Sequence, residues 1–144
     1  MTSTVRKLDN KVIELIQSPQ ALTGAWADLG NVVDVRDTET LSLWLNLDIN
    51  GSTGVRVRMV GLKTEGASDV YLLPIKTVNP TYVNVNQEYY ELDVDADQKI
   101  VLAFSTFDLL PFVKFQVMAG VVGAPAGEID GASLVYKERF YGPW

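Results

Sequence analysis

The chain of 144 residues contains no cysteine and no histidine. Without cysteine there is no disulfide, no thiolate nucleophile and no cysteine-based zinc site. Without histidine the chain lacks the side chain whose ordinary pKa lies near neutrality, so Ser-His-Asp and Cys-His catalysis are both excluded. Long apolar runs are missing as well, and none approaches the roughly 20 residues of a membrane-spanning helix. The opening Met1-Thr2-Ser3-Thr4-Val5-Arg6-Lys7 lacks the apolar core of a secretion signal, so the sequence is expected to stay in the cytoplasm where it is made. Basic residues are outnumbered, 12 against 18 acidic, for a formal charge of −6. Such a chain repels phosphate backbones, and nucleic acid is not an expected partner. Nor is a membrane or a cofactor.

What is present is a hydrophobic fraction of 47%, ordinary for a folded domain of this length. From Ala21 onward the apolar pattern has a period of two. In Leu41-Ser42-Leu43-Trp44-Leu45-Asn46-Leu47-Asp48-Ile49 every odd position is Leu or Ile. Side chains alternate faces along a strand, so this segment has one aliphatic face and one polar face broken only by Trp44. Asn50-Gly51 then suits a tight turn, and Val55, Val57 and Met59 alternate with Arg56 and Arg58. The pair reads as a hairpin that sets the two arginines opposite Asp48 and Asn46, as cross-strand partners or as an anion or partner contact.

Further strands are expected over 23–29, 32–35, 70–77, 82–85, 88–94, 98–105, 112–122 and 131–140. Some nine or ten short strands with turn residues between them predict an all-β antiparallel sandwich, jelly-roll-like in outline. One short helix is expected before it. Leu8, Val12, Ile13, Leu15 and Ile16 recur near the helical period, Asp9 or Asn10 suits a cap, and Ser18-Pro19 a stop. So short a helix must dock, either on its own core or on a neighbouring subunit through Val12 and Ile16. The organisation expected is an N-terminal arm over 1–20, a sandwich over 21–136, and an aromatic segment over 137–144.

Chemistry-bearing runs are few. Asp93, Asp95 and Asp97 have the spacing that opens a calcium loop, but the glycine and the downstream glutamate of such a loop are missing. A solvated strand end is the simpler reading. A carboxylate pair for glycoside hydrolysis has no positive support. Trp44, on an otherwise polar face, is a candidate interface anchor. With Trp26, Tyr89 and Tyr90 it is also a candidate sugar platform, although Trp26 is expected in the core. Phe140, Tyr141 and Trp144 are costly to leave in water, at about 1.5–3 kcal/mol per large apolar side chain, and are expected to dock on this domain or on a neighbour.

The stretches Trp26-Ala27-Asp28-Leu29-Gly30, Val33-Asp34-Val35 and 41–50, with Asp97-Gln98-Lys99-Ile100-Val101-Leu102 and Phe115-Gln116-Val117-Met118-Ala119-Gly120, resemble small bacteriophage virion proteins. That family is one of jelly-roll sandwiches that decorate or cement capsids or belong to the neck and tail. The resemblance covers most of 21–136 and transfers no active-site residue. It implies a non-enzymatic virion component, with the major capsid protein or other virion proteins as partners and a homo-oligomer, a trimer by analogy. A carbohydrate- or receptor-binding module of a phage tail is the alternative.

Overall fold

A computed structural model describes residues 10–48, 54–73, 88–92, 97–107, 109–120 and 127–138. Ten strands lie in these segments: β1 (Lys11–Glu14), β2 (Gln20–Ala21), β3 (Ala27–Asp34), β4 (Thr38–Asp48), β5 (Val55–Leu62), β6 (Tyr71–Leu72), β7 (Tyr90–Leu92), β8 (Gln98–Ser105), β9 (Phe112–Ala119) and β10 (Glu128–Glu138). They form two antiparallel sheets. The first has the order β1-β10-β4-β8, with β2 also paired to β10. The second has the order β3-β9-β5-β6, with β7 also paired to β5. The chain crosses between the sheets on passing from β2 to β3, β3 to β4, β4 to β5, β7 to β8, β8 to β9 and β9 to β10.

The inward faces follow from the alternation in the sequence. Leu41, Leu43, Leu45 and Leu47 of β4 are buried, and so are Val55, Val57 and Met59 of β5. Together with Leu29 and Val33 of β3, Leu102 and Phe104 of β8, Val113, Phe115 and Val117 of β9, and Ile129, Ala132 and Leu134 of β10 they make one cluster. Aromatic packing spans it. Phe104 meets Phe115 edge to face at 5.3 Å, and Tyr90 meets Phe104 in the same way at 5.3 Å. The Tyr90 hydroxyl donates to the Ala103 carbonyl at 2.7 Å, which ties β7 of one sheet to β8 of the other.

Three expectations are corrected. The helix expected over 8–16 is not formed among the described residues; Lys11–Glu14 is a strand paired with β10, Val12 opposite Val135 and Glu14 opposite Ser133. The Leu15 N–H continues this attachment by donating to the Ala132 carbonyl at 2.8 Å. An isolated helix of two or three turns gains too few hydrogen bonds to offset nucleation, whereas the edge of β10 supplies backbone partners at once and suits β-branched Val12 and Ile13. The hairpin expected from 41–49 and 55–59 is absent too. β4 lies between β10 and β8, while β5 lies beside β9 in the opposite sheet. Both strands turn their apolar faces inward, but from opposite sides of the core. Finally, the two strands expected over 23–29 and 32–35 are one strand, β3, with a register shift between Leu29 and Val33.

That irregularity explains a glycine. Gly30 has φ of 77°, in the left-handed region, and a Cβ there would stand 2.7 Å from the Leu15 carbonyl oxygen. The segment after β1 therefore passes directly over the bulge of β3. The strand expected over 82–85 lies outside the described residues.

Candidate functional site

The outer face of the first sheet carries an exposed apolar strip positioned by regular strands. One row runs across all four strands, Glu14–Ser133–Trp44–Val101, because β1, β10, β4 and β8 place these residues in register. A second row places Val12 beside Val135, which lies opposite Ser42 and then Ala103. Trp44 is 50% exposed, Val101 51% and Val12 60%. Two of the candidate residues, Val12 and Trp44, thus share one face although they lie far apart in sequence.

The Trp44 ring is fixed rather than free. Its Nε1–H donates to Ser42 Oγ at 2.9 Å, and the Ser42 hydroxyl donates to the Val135 carbonyl at 3.1 Å. The indole's single donor is therefore satisfied on its own sheet, and the ring presents only π-surface and C–H edges outward. Beside it runs a groove of about 300 Å³ bordered by Trp44, Asn46, Lys99, Val101, Gly131 and Ser133. On the far side of Ser133, its hydroxyl donates to the Glu14 carboxylate at 2.7 Å.

One end of the same sheet carries three acids, two of them close together on β10 and the third on β4. Carboxylate oxygens of Asp48, Glu128 and Asp130 lie within 4.8 Å of one another. A hydrogen bond with Asp130, then partial desolvation and the charges of Asp130 and Asp48, push the Glu128 carboxyl above its ordinary value. Spacing along the chain does not announce this group; the signal was only that Asp48 ends the polar side of the 41–49 alternation. Of the suggested calcium run, Asp93 and Asp95 lie outside the described residues.

The outer face of the second sheet is a polar lattice. Asp28, Gln116 and Arg58 stand in one row across β3, β9 and β5. Gln116 Nε2 donates to Asp28 Oδ1 at 2.9 Å, Arg58 Nε donates to Gln116 Oε1 at 2.9 Å, and Lys114 Nζ donates to Asp28 Oδ2 at 3.0 Å. Partial burial raises the Asp28 carboxyl, but the bonds from Gln116 and Lys114 and the Lys114 charge outweigh it and hold the group below its ordinary value. The Arg58 guanidinium lies 4.2 Å over the Trp26 ring, and desolvation lowers its pKa against the pull of Glu88. Arg56 lies 5.2 Å over Tyr89 and is 3.2 Å from the Glu91 carboxylate.

This geometry sorts the candidates. Arg56 and Arg58 do not face Asp48 and Asn46; they are held by stacking and by Glu91 and Gln116, and serve their own sheet. Tyr90 turns into the core and Tyr89 lies half-buried beside Trp26, 5.8 Å between rings, so these tyrosines do not extend the Trp44 platform. Trp26 is half-buried under Arg58 rather than enclosed in the core. Ile16 packs against the core. Phe140, Tyr141 and Trp144 lie outside the described residues.

No protein-family model matches the chain, and no curated protein sequence matches it. A solved structure does. The crystal structure of SPBc2 prophage-derived protein YomS superposes with a TM-score of 0.52 at 12% identity, covering 94% of this chain and 100% of that one. The two proteins share a fold. At this identity the likeness extends to the arrangement of strands, not to individual residues of the Trp44 face.

Proposed function

We propose that the chain is a non-enzymatic structural protein of a phage virion, of the capsid decoration or cement type. The observation that carries this reading is the winding. The first sheet runs β1-β10-β4-β8 and the second β3-β9-β5-β6 with β7 also paired to β5, so the chain alternates between the sheets from β2 to β5 and again from β7 to β10, as in a jelly roll. The whole-chain likeness to a prophage-derived protein supports the phage context. The composition agrees, since shell-stabilising contact needs a rigid scaffold and repeated symmetric surfaces but neither histidine nor cysteine. The acidic charge suits a position outside the shell, away from packaged DNA.

In this reading the contact with the major capsid protein, or with other virion proteins, is made by the aromatic segment holding Phe140, Tyr141 and Trp144, and the working form is a homo-oligomer, a trimer by analogy with such proteins. The test is binding of the purified chain to capsids assembled without it. The intact chain should bind saturably, and a chain ending at Glu138 should not. A chain that fails to bind such capsids removes the assignment.

A further inference from the structure

The Trp44 groove is a built feature that shell contact through the aromatic segment does not use. We propose that it is a binding site for a neutral pyranose ring of a glycan, stacked on the Trp44 indole.

The argument starts from what the ring offers. Its N–H is committed to Ser42 Oγ, and Ser42 is anchored in turn on the Val135 carbonyl. The platform is therefore preorganised, and stacking on it orders no indole rotamer. A half-exposed indole face complements the patch of C–H bonds on one side of a sugar ring, since an aromatic face is apolar and carries partial negative charge while aliphatic C–H groups carry partial positive charge. Hydroxyls around such a ring then need donors and acceptors at its rim. Asn46 and Lys99 border the groove, and neither side chain has a hydrogen-bond or ion-pair partner among the described residues. A mainly apolar groove of about 300 Å³ with a few convergent polar groups has the form of a small-ligand site, at its lower size limit.

Charge narrows the ligand. Beyond Asn46 the same sheet carries Asp48, Glu128 and Asp130 within 4.8 Å of one another, and Glu14 lies past Ser133. Four carboxylates against the single Lys99 ammonium leave this face net negative; they accept bonds from sugar hydroxyls and disfavour a sugar acid, so the ligand is neutral. The same charges argue against a second copy of this chain as occupant. A stable protein contact buries about 800 Å² per partner and is depleted of charge at its centre, whereas here Glu14 and Lys99 flank the short Trp44–Val101 strip and the acidic trio stands at the end of the same sheet.

The experiment follows ¹H–¹⁵N resonances of the isotope-labelled full chain. The Trp44 indole signal is assigned by its absence from Trp44→Ala. Titrants are the methyl glycosides of glucose, galactose and N-acetylglucosamine, and methyl glucuronide. The expected result is a saturable shift of the Trp44 signal with at least one neutral glycoside in the millimolar range, and none with the glucuronide. Trp44→Ala should weaken that binding about tenfold or more, with Lys99→Met and Asn46→Ala weakening it less. Ser42→Ala keeps the ring but frees it, and should weaken binding about two- to fivefold while leaving the core resonances in place. Silence of the Trp44 signal with every neutral glycoside would overturn the proposal, as would equal binding by Trp44→Ala. Loss of capsid binding in Trp44→Ala would also overturn it, by making this face a protein contact. Because the capsid test reads the aromatic segment and this titration reads Trp44, either assignment can fail while the other stands.

Discussion

Single side chains close this sandwich at its margins. Tyr90 belongs to one sheet, yet its hydroxyl bonds to Ala103 of the other while its ring packs on Phe104. Tyr90→Phe keeps the packing and removes this bond between the sheets, so it should cost about 0.5–1.5 kcal/mol in urea unfolding with little change in the slope. Asp28 is the residue through which acid acts on the second sheet. Its carboxyl titrates below the ordinary 3.8, so its contribution is complete above that value and drains as pH falls through the folded-state pKa. Asp34, held low by bonds from Arg36, behaves in the same direction. Glu128 has the opposite sign, because a raised pKa means that protonation favours the folded state. Asp28→Asn should therefore lower stability in the neutral region, where the ionised carboxyl contributes in full, and leave the two chains alike at the acid end, so that the acid limb is flatter. An acid limb identical to that of the parent chain would show that this lattice does not contribute.

At the scale of strands, the sequence made some features plain and concealed others. The alternation of Leu41 to Leu47 identified β4 and its buried face, because burial on one side of a strand imposes a strict period of two. It could not say which strand lies alongside, since any strand with an inward apolar face satisfies the same pattern. Hence the 41–49 and 55–59 segments read as a hairpin although they face each other across the core. β1 reads as a helix for a related reason. Over so few residues, Leu8 to Ile16 fit a helical period, and the free edge of β10 that captures Lys11–Glu14 lies more than 100 residues away in the chain. The exposed Trp44 was legible as the one aromatic on a polar face, but its lock on Ser42 and the acidic trio depend on pairings that only the fold supplies. The passage of Leu15 over the β3 bulge is of the same kind. It makes Gly30→Ala a test of that crossing: with φ of 77° and a Cβ contact of 2.7 Å to backbone, the substitution should cost more than about 1 kcal/mol and loosen β1, read as faster amide exchange at Leu15. An unchanged exchange rate would mean that the two segments do not touch.

For the molecule as a whole, two sheets wound through one another bury a single aliphatic and aromatic cluster and leave two unlike outer surfaces. One is a lattice of paired charges over Trp26 and Tyr89 that its own residues satisfy. The other presents a fixed indole and a groove that they do not fill. On the proposed reading such a scaffold acts by contact, and its place in a virion depends on which surface meets the shell. Co-sedimentation of the purified chain with capsids lacking it measures this most directly. Binding that saturates at a fixed number of copies per capsomer, and that survives Trp44→Ala, is the result expected. Capsids that pellet without the chain at every concentration would contradict the account.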